Sequence, residues 1–209
     1  MKERTRYIES IYGEDPILEK VKATIIENEM PSISVSPGLG RFLTLLVRLS
    51  GAKRILEIGA LGGYSGICLA RGLGEEGELV SLELKEEYAR IAGKNLTEAG
   101  LGGRVSYLVG DALRTMASLV EKGETFDFFF IDADKQSYPG YLDYAIQLAN
   151  PGAIIAADNT FLGGKAMDES IPDDRVKAVR TFNQRIATDD RLLSAMLPAF
   201  DGISLAMVK

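Results

Sequence analysis

The chain has 209 residues, 46% hydrophobic and 26% charged, with a formal net charge of −6. That length suits one well-buried α/β domain rather than two, and the acidic balance argues against an extended nucleic-acid or anionic-membrane footprint. With no histidine and one cysteine, Ser-His-Asp and Cys-His catalysis are excluded. A general base must then be Lys, Asp, Glu, Tyr or Cys, and a metal site must rest on oxygen ligands or the lone thiol.

The charged start MKERTRYIES does not read as a signal peptide, and no apolar run approaches the roughly 18 residues of a spanning helix. A cytoplasmic protein without a membrane partner is therefore expected. Residues 1–50 read as helices. Leu18, Val21 and Ile25 keep helical spacing after an Asp15-Pro16 start, and PGLGRFLTLLVRLSG is an apolar helix closed by Gly51.

From Lys53 onward strand and helix alternate. The apolar runs RILEI (54–58), ELVSLEL (78–84), RVSYLVG (104–110), FDFFFI (126–131) and GAIIAAD (152–158) are separated by helix-length stretches near 65–72, 86–99, 112–122 and 138–149. Strand runs apolar on both faces predict a parallel sheet covered by helices on each side. Cys68 falls in the first of those helices and reads as a buried core residue, since no activating base stands near it in sequence. A helix carrying Val176, Val179, Phe182 and Ile186 follows. RLLSAMLP and ISLAMVK then flank Phe200-Asp201-Gly202, a connection that suits an antiparallel hairpin. The sum is a doubly wound sheet of five parallel strands with a hairpin at its edge.

Ligands of such sheets bind beyond the carboxyl ends of the strands, so the residues after each strand matter most. After the first comes EIGALGGYSG, where Gly59, Gly62 and Gly63 permit a sharp turn into a helix and close backbone approach to a ligand. Gly-x-x-Gly-Gly is not the dinucleotide fingerprint, and such a turn is as often purely structural. Glu83, about 20 residues past that turn, stands where an acid accepts both ribose hydroxyls of an adenosine cofactor, or it is a solvated strand end. Asp111 either accepts from an adenine amino group or caps the next helix.

Asp132 ends the fourth strand run and Asp158-Asn159 the fifth. A buried strand ending in a carboxylate is costly unless that charge is paired or metal-bound. Two carboxylates and a carboxamide at adjacent strand ends form a partial oxygen shell suited to Mg²⁺, Mn²⁺ or Ca²⁺, with Lys135 beside it; helix capping is the competing reading.

These stretches make the chain resemble the class I S-adenosylmethionine-dependent O-methyltransferases, in the cation-dependent group that holds the catechol and caffeoyl-CoA enzymes. LEIGALGGYS, IDADKQSY, AADNT and DRLLSAMLPAFDGISLAMVK carry the resemblance, which spans about Ser34 to Lys209. It implies a single methyltransferase domain over 1–209, with helices in 1–50 and a Rossmann-like core over 53–209. The fold is then α/β: a doubly wound, mainly parallel seven-stranded sheet with an antiparallel C-terminal hairpin strand, helices on both faces and extra N-terminal helices.

By the same resemblance Asp132, Asp158 and Asn159 are metal ligands, and Lys135, with Asp132, is catalytic. Val35, Glu57, Gly59, Ala60, Gly63, Ser65, Glu83, Asp111, Ala112, Asp132 and Asp134 contact the cofactor, S-adenosylmethionine. The implied reaction moves a methyl group to a hydroxyl of a small catechol-like or caffeoyl-type acceptor in a homodimer. A bacterial branch instead methylates a hydroxylated wobble uridine in tRNA, for which Arg41, Lys165, Arg175, Lys177 and Arg180 offer a local basic patch. A non-catalytic cofactor-binding module is the third reading. Phe161-Leu162-Gly163-Gly164 replaces the tryptophan and asparagine of the plant caffeoyl-CoA enzymes, and no acid lies between Leu192 and Phe200 where the catechol enzyme has a glutamate. Those departures leave the acceptor open.

Overall fold

The computed structural model describes residues 2–209, with side chains at all of them except residues 2 and 4; Met1, the first residue of the expected 1–209 domain, lies outside the described residues. Three helices come first: α1 (Lys2–Tyr12), α2 (Pro16–Glu27) and α3 (Pro37–Ser50). Asp15 caps α2 by accepting from the N–H groups of Ile17 and Leu18, and Ser36 caps α3 by accepting from Leu39. Gly51 closes α3 at φ 67°, a conformation in which a side chain would be strained. Helix α2 buries Leu18, Val21 and Ile25, the stripe its spacing predicts. Each such side chain contributes about 1.5–3 kcal/mol when removed from water.

The alternating part then runs β1 (Arg54–Ile58), α4 (Tyr64–Gly72), β2 (Glu78–Glu83), α5 (Glu86–Glu98), β3 (Val105–Val109), α6 (Ala112–Glu121), β4 (Phe126–Ile131), α7 (Tyr138–Leu148), β5 (Ala149–Ala157), α8 (Asp174–Thr188), β6 (Leu192–Leu197) and β7 (Ile203–Val208). The seven strands form one sheet in the order β3-β2-β1-β4-β5-β7-β6. Pairs among β1 to β5 are parallel, while β7 runs antiparallel to both neighbours.

The strand β4 shows why both faces are covered. Phe126, Phe129 and Ile131 join the core beneath α6, α7 and α8, whereas Phe128 and Phe130 join the core beneath α2, α3, α4 and α5. From Phe128 to Ile131 successive residues alternate between the two faces, so a run apolar at nearly every position needs helices on each side; Phe126 shares the face of Phe129 because the register shifts between it and Phe128. Asp127 is the exception in that run. Its carboxylate accepts from the backbone N–H of Lys53 and Arg54 and from the Asn150 amide.

That last bond accounts for one departure from the sequence reading. Strand β5 begins at Ala149 rather than Gly152, because Ala149 pairs with Phe126 and the register shifts before Ile154 meets Phe128. The extra residues bulge outward where Asn150 reaches Asp127.

Candidate functional site

A cleft of about 620 Å³ opens beyond the carboxyl ends of the parallel strands. Strand order turns there, with β2 on one side of β1 and β4 on the other, which is where doubly wound sheets place their ligands. Its wall includes Val35, Gly59, Ala60, Ser65, Glu83, Asp111, Ala112, Asp132, Asp134, Lys135 and Asn159. The structure thus brings together residues spread over more than half the chain.

Two of the expected cofactor residues stand back from the cleft. Glu57 is buried on β1, accepting from the hydroxyls of Ser65 at 2.5 Å and Ser81 at 2.6 Å. Burial, with the charges of Asp132 and Glu83 adding to it, pushes its carboxyl up to about 7 despite those bonds. Gly63 caps α4 at φ 86° and faces α5, where a side chain would run into Leu96 and Ala92. Gly59 has a role inside the protein as well. At φ 103° it lies against the Asp132 carbonyl, and a Cβ would sit well inside van der Waals contact. The close approach it permits is between the tips of β1 and β4.

Glu83 is fixed from two sides: one carboxylate oxygen accepts from the Leu61 N–H at 2.9 Å and the other from the Lys85 N–H at 3.0 Å. Each oxygen retains lone pairs for further donors. Asp111 caps α6 through the Arg114 N–H, and it also lines the cleft. Asp134 accepts from the Ser137 N–H and the Tyr141 hydroxyl. Sequence reasoning missed Leu61, Tyr88 and Tyr141, and the Pro31–Ile33 lip before α3. Only tertiary proximity identifies them.

The polar centre lies at the tips of β4 and β5. The Asp132 N–H donates to the Ile58 carbonyl and the Asp158 N–H to the Ile131 carbonyl, so the ladder itself sets the two carboxylates side by side. Lys135 Nζ donates to Asp132 Oδ1 at 2.9 Å and to the Tyr138 hydroxyl at 2.6 Å. Asn159 stands at φ 56°, a left-handed conformation that asparagine tolerates better than most residues, and its amide donates to Asp158 at 3.2 Å. Asp158 is buried, and its other oxygen, Oδ1, has no hydrogen-bond partner among the described residues. Burial, then the charge of Asp132, pushes that carboxyl up to about 7. A buried, unsatisfied carboxylate oxygen beside a second carboxylate costs free energy unless positive charge joins it. Two carboxylates and a carboxamide are hard oxygen donors, and they fit a hard divalent cation. Among the described residues no group of three or more His, Cys, Asp or Glu side chains suits a metal; the oxygen set at β4 and β5 holds two.

Cys68 is buried and its thiol is pushed up to about 12 by that burial. A larger hollow of about 910 Å³ opens beside α1 and α2, but it lies away from the strand tips, and its cations are tied: Arg41 to Glu9, Arg71 to Asp15, Lys22 to Glu19. Of the cations offered as a basic patch, Arg41 is thus neutralised, as are Arg175 by Asp173 and Lys177 by Asp174. Arg180 donates to the carbonyls of Ala166, Ile171 and Asp168.

Residues 8–209 match the family model described as O-methyltransferase. A catechol O-methyltransferase of Niastella koreensis is 41% identical over 97% of this chain and 95% of that protein. One from Mycobacterium tuberculosis is 41% identical over 96% and 92%. Among solved structures, an O-methyltransferase from Bacillus cereus in complex with SAH superposes with a TM-score of 0.92 at 41% identity, covering 98% of this chain and 96% of that one. TomG from Streptomyces achromogenes, an O-methyltransferase involved in tomaymycin synthesis, in complex with SAM, gives 0.90 at 38% identity over 97% and 94%.

Proposed function

This chain belongs to the O-methyltransferase family, an S-adenosylmethionine-dependent class of enzyme, and from that premise we propose that it methylates one hydroxyl of a small vicinal-dihydroxy aromatic acceptor with the help of a divalent cation. The observation that carries the cation is the unpartnered, buried Asp158 Oδ1 beside Asp132. The names of the similar catechol enzymes support the acceptor class.

Asp132, Asp158 and Asn159 would hold the cation. Gly59, Ala60 and Ser65 would line the methionine part of the cofactor, and Glu83, already oriented by the Leu61 and Lys85 N–H groups, would accept the ribose hydroxyls. Asp111 and Ala112 would border the adenine, with Val35 and Asp134 as further contacts. Glu57 would act from beneath through Ser65, and Gly63 by setting the start of α4. When bound, the cation supplies positive charge that eases loss of an acceptor proton, and S-adenosylmethionine supplies an electrophilic methyl on sulfur.

Lys135 Nζ would take the proton from the acceptor hydroxyl, and with S-adenosylmethionine supplying the methyl the products would be a methyl ether and S-adenosylhomocysteine. Lys135 is largely enclosed, with 15% of its side chain exposed, so bulk water would compete weakly for that proton. Holding the reacting atoms in line contributes several kcal/mol, with a ceiling of about 7–11. The chain is proposed to act as a homodimer.

Turnover of a panel of catechols and caffeoyl esters with Mg²⁺ is expected, and activity that survives EDTA would sink the cation. Asp158→Ala should lower kcat by more than about 100-fold, the upper end of what even an outer-shell change costs. The same variant should lose calorimetric Mn²⁺ binding while keeping its affinity for S-adenosylhomocysteine.

A further inference from the structure

We infer that Tyr138 is a positioning residue that aims Lys135 into the cleft, a role that rests on the reading of Lys135 as the base. Tyr138 opens α7 and its side chain is wholly buried. The ring packs edge-on against Phe182 with centroids 5.3 Å apart, work that phenylalanine would do equally well. The hydroxyl is what needs explaining, because burying one without partners is costly.

Its oxygen lies 3.0 Å from the Asp158 carbonyl, 3.3 Å from the Ile131 carbonyl and 2.6 Å from Lys135 Nζ. A phenol owns one proton. Carbonyls only accept, so the proton goes to one of them, the nearer being that of Asp158, and a lone pair is left to accept from Lys135. The hydroxyl therefore ties the lysine to the backbone at the tip of β5.

The consequence falls on the amine. Besides its carbon, Nζ has three positions. One donates to Tyr138 and a second to Asp132 Oδ1 at 2.9 Å, which leaves the third for the cleft that Lys135 lines. Asp132 holds one position of the nitrogen, and the bond to Tyr138 adds a second anchor that holds the amine in place against the tips of β4 and β5. Residues 132, 135 and 138 stand three apart, so a single short segment supplies the carboxylate, the amine and the hydroxyl that orients it.

Tyr138→Phe keeps the ring and removes the oxygen. Its kcat should fall on the order of 10–100-fold, less than the roughly 10²–10⁴-fold that the base itself contributes, because the amine is misaimed and not removed. KM for S-adenosylmethionine and the dissociation constants of Mn²⁺ and S-adenosylhomocysteine should stay within about twofold. A merely structural role would lower stability and leave kcat alone. In a Lys135→Met background the same change should have no further effect. A kcat within twofold of the parent, or an equal loss in both backgrounds, overturns the inference. A Lys135→Met enzyme that retains full kcat overturns the reading beneath it instead. Should Tyr138→Phe not fold, the unaltered protein still decides. With ¹⁵N-labelled lysine at low temperature, the Lys135 amine protons should show a through-space cross-peak to the Tyr138 ring protons, and its absence would refute the geometry.

Discussion

Glu57 shows how a side chain serves a cleft it does not enter. Its carboxyl sits in the floor between Ser65 and Ser81, and burial raises it from 4.5 to about 7. The folded protein therefore keeps a proton there that the unfolded chain releases near pH 4.5. The folded state binds more protons across that window, so stability falls as pH rises from about 4.5 to about 7. With 1.36 kcal/mol per pKa unit, the full effect is about 3 kcal/mol. Glu57→Gln carries no charge to desolvate. Urea denaturation should show the variant gaining about that much on its parent between pH 4.5 and pH 8, and a constant difference across the range would refute the burial cost. The sequence marks Glu57 as special but not its depth, because a carboxylate at a strand end reads the same whether it faces the ligand or the floor.

Elements fix the rest of the site. The covering of β4 on both faces was legible from FDFFFI, since the four consecutive apolar residues Phe128 to Ile131 have only one comfortable place, between two helical layers. The start of β5 was not, because it depends on the pairing of Ala149 with Phe126 across two strands. The hairpin after α8 was legible from Phe200-Asp201-Gly202, but not what its loop touches. The Asp201 carboxylate accepts from the Gly163 N–H at 2.8 and 3.0 Å, and the Phe161 N–H donates to the Asp201 carbonyl at 2.9 Å. The loop between β6 and β7 is thereby stapled to the one that leaves Asn159. Asp201→Ala should free the Gly163 loop and raise KM for the acceptor about tenfold, the worth of one charge-assisted hydrogen bond. Affinity for S-adenosylhomocysteine should not move. If both constants shift together, the staple supports the whole cleft rather than its acceptor side.

Across the whole molecule the helices before the sheet differ in kind. Helix α2 seats Leu18, Val21 and Ile25 in the core, and Gly62 lets Ile25 close on the turn after β1. Helix α1 instead leaves Tyr7, Ile11 and Tyr12 exposed and is held through Glu9 and Tyr12 to Arg41. Exposed apolar side chains grouped on one helix suit a second copy of the chain. Light scattering of the full chain should give twice the monomer mass. A variant beginning at Glu14 should keep a thermal midpoint within about 4 °C, the shift of a 1–2 kcal/mol change in a chain this size, yet run as a monomer. A full chain that is already monomeric refutes the dimer. The sequence by itself determined the strand and helix order, the family, and which residues follow each strand, since apolar periodicity and local motifs are read along the chain. Only the tertiary structure decided which of those residues meet. The strand order places Glu57 under the cleft, sets Asp132 beside Asp158 and brings the Tyr138 hydroxyl to the Asp158 carbonyl, because hydrogen-bond geometry between distant segments is a property of the packed sheet.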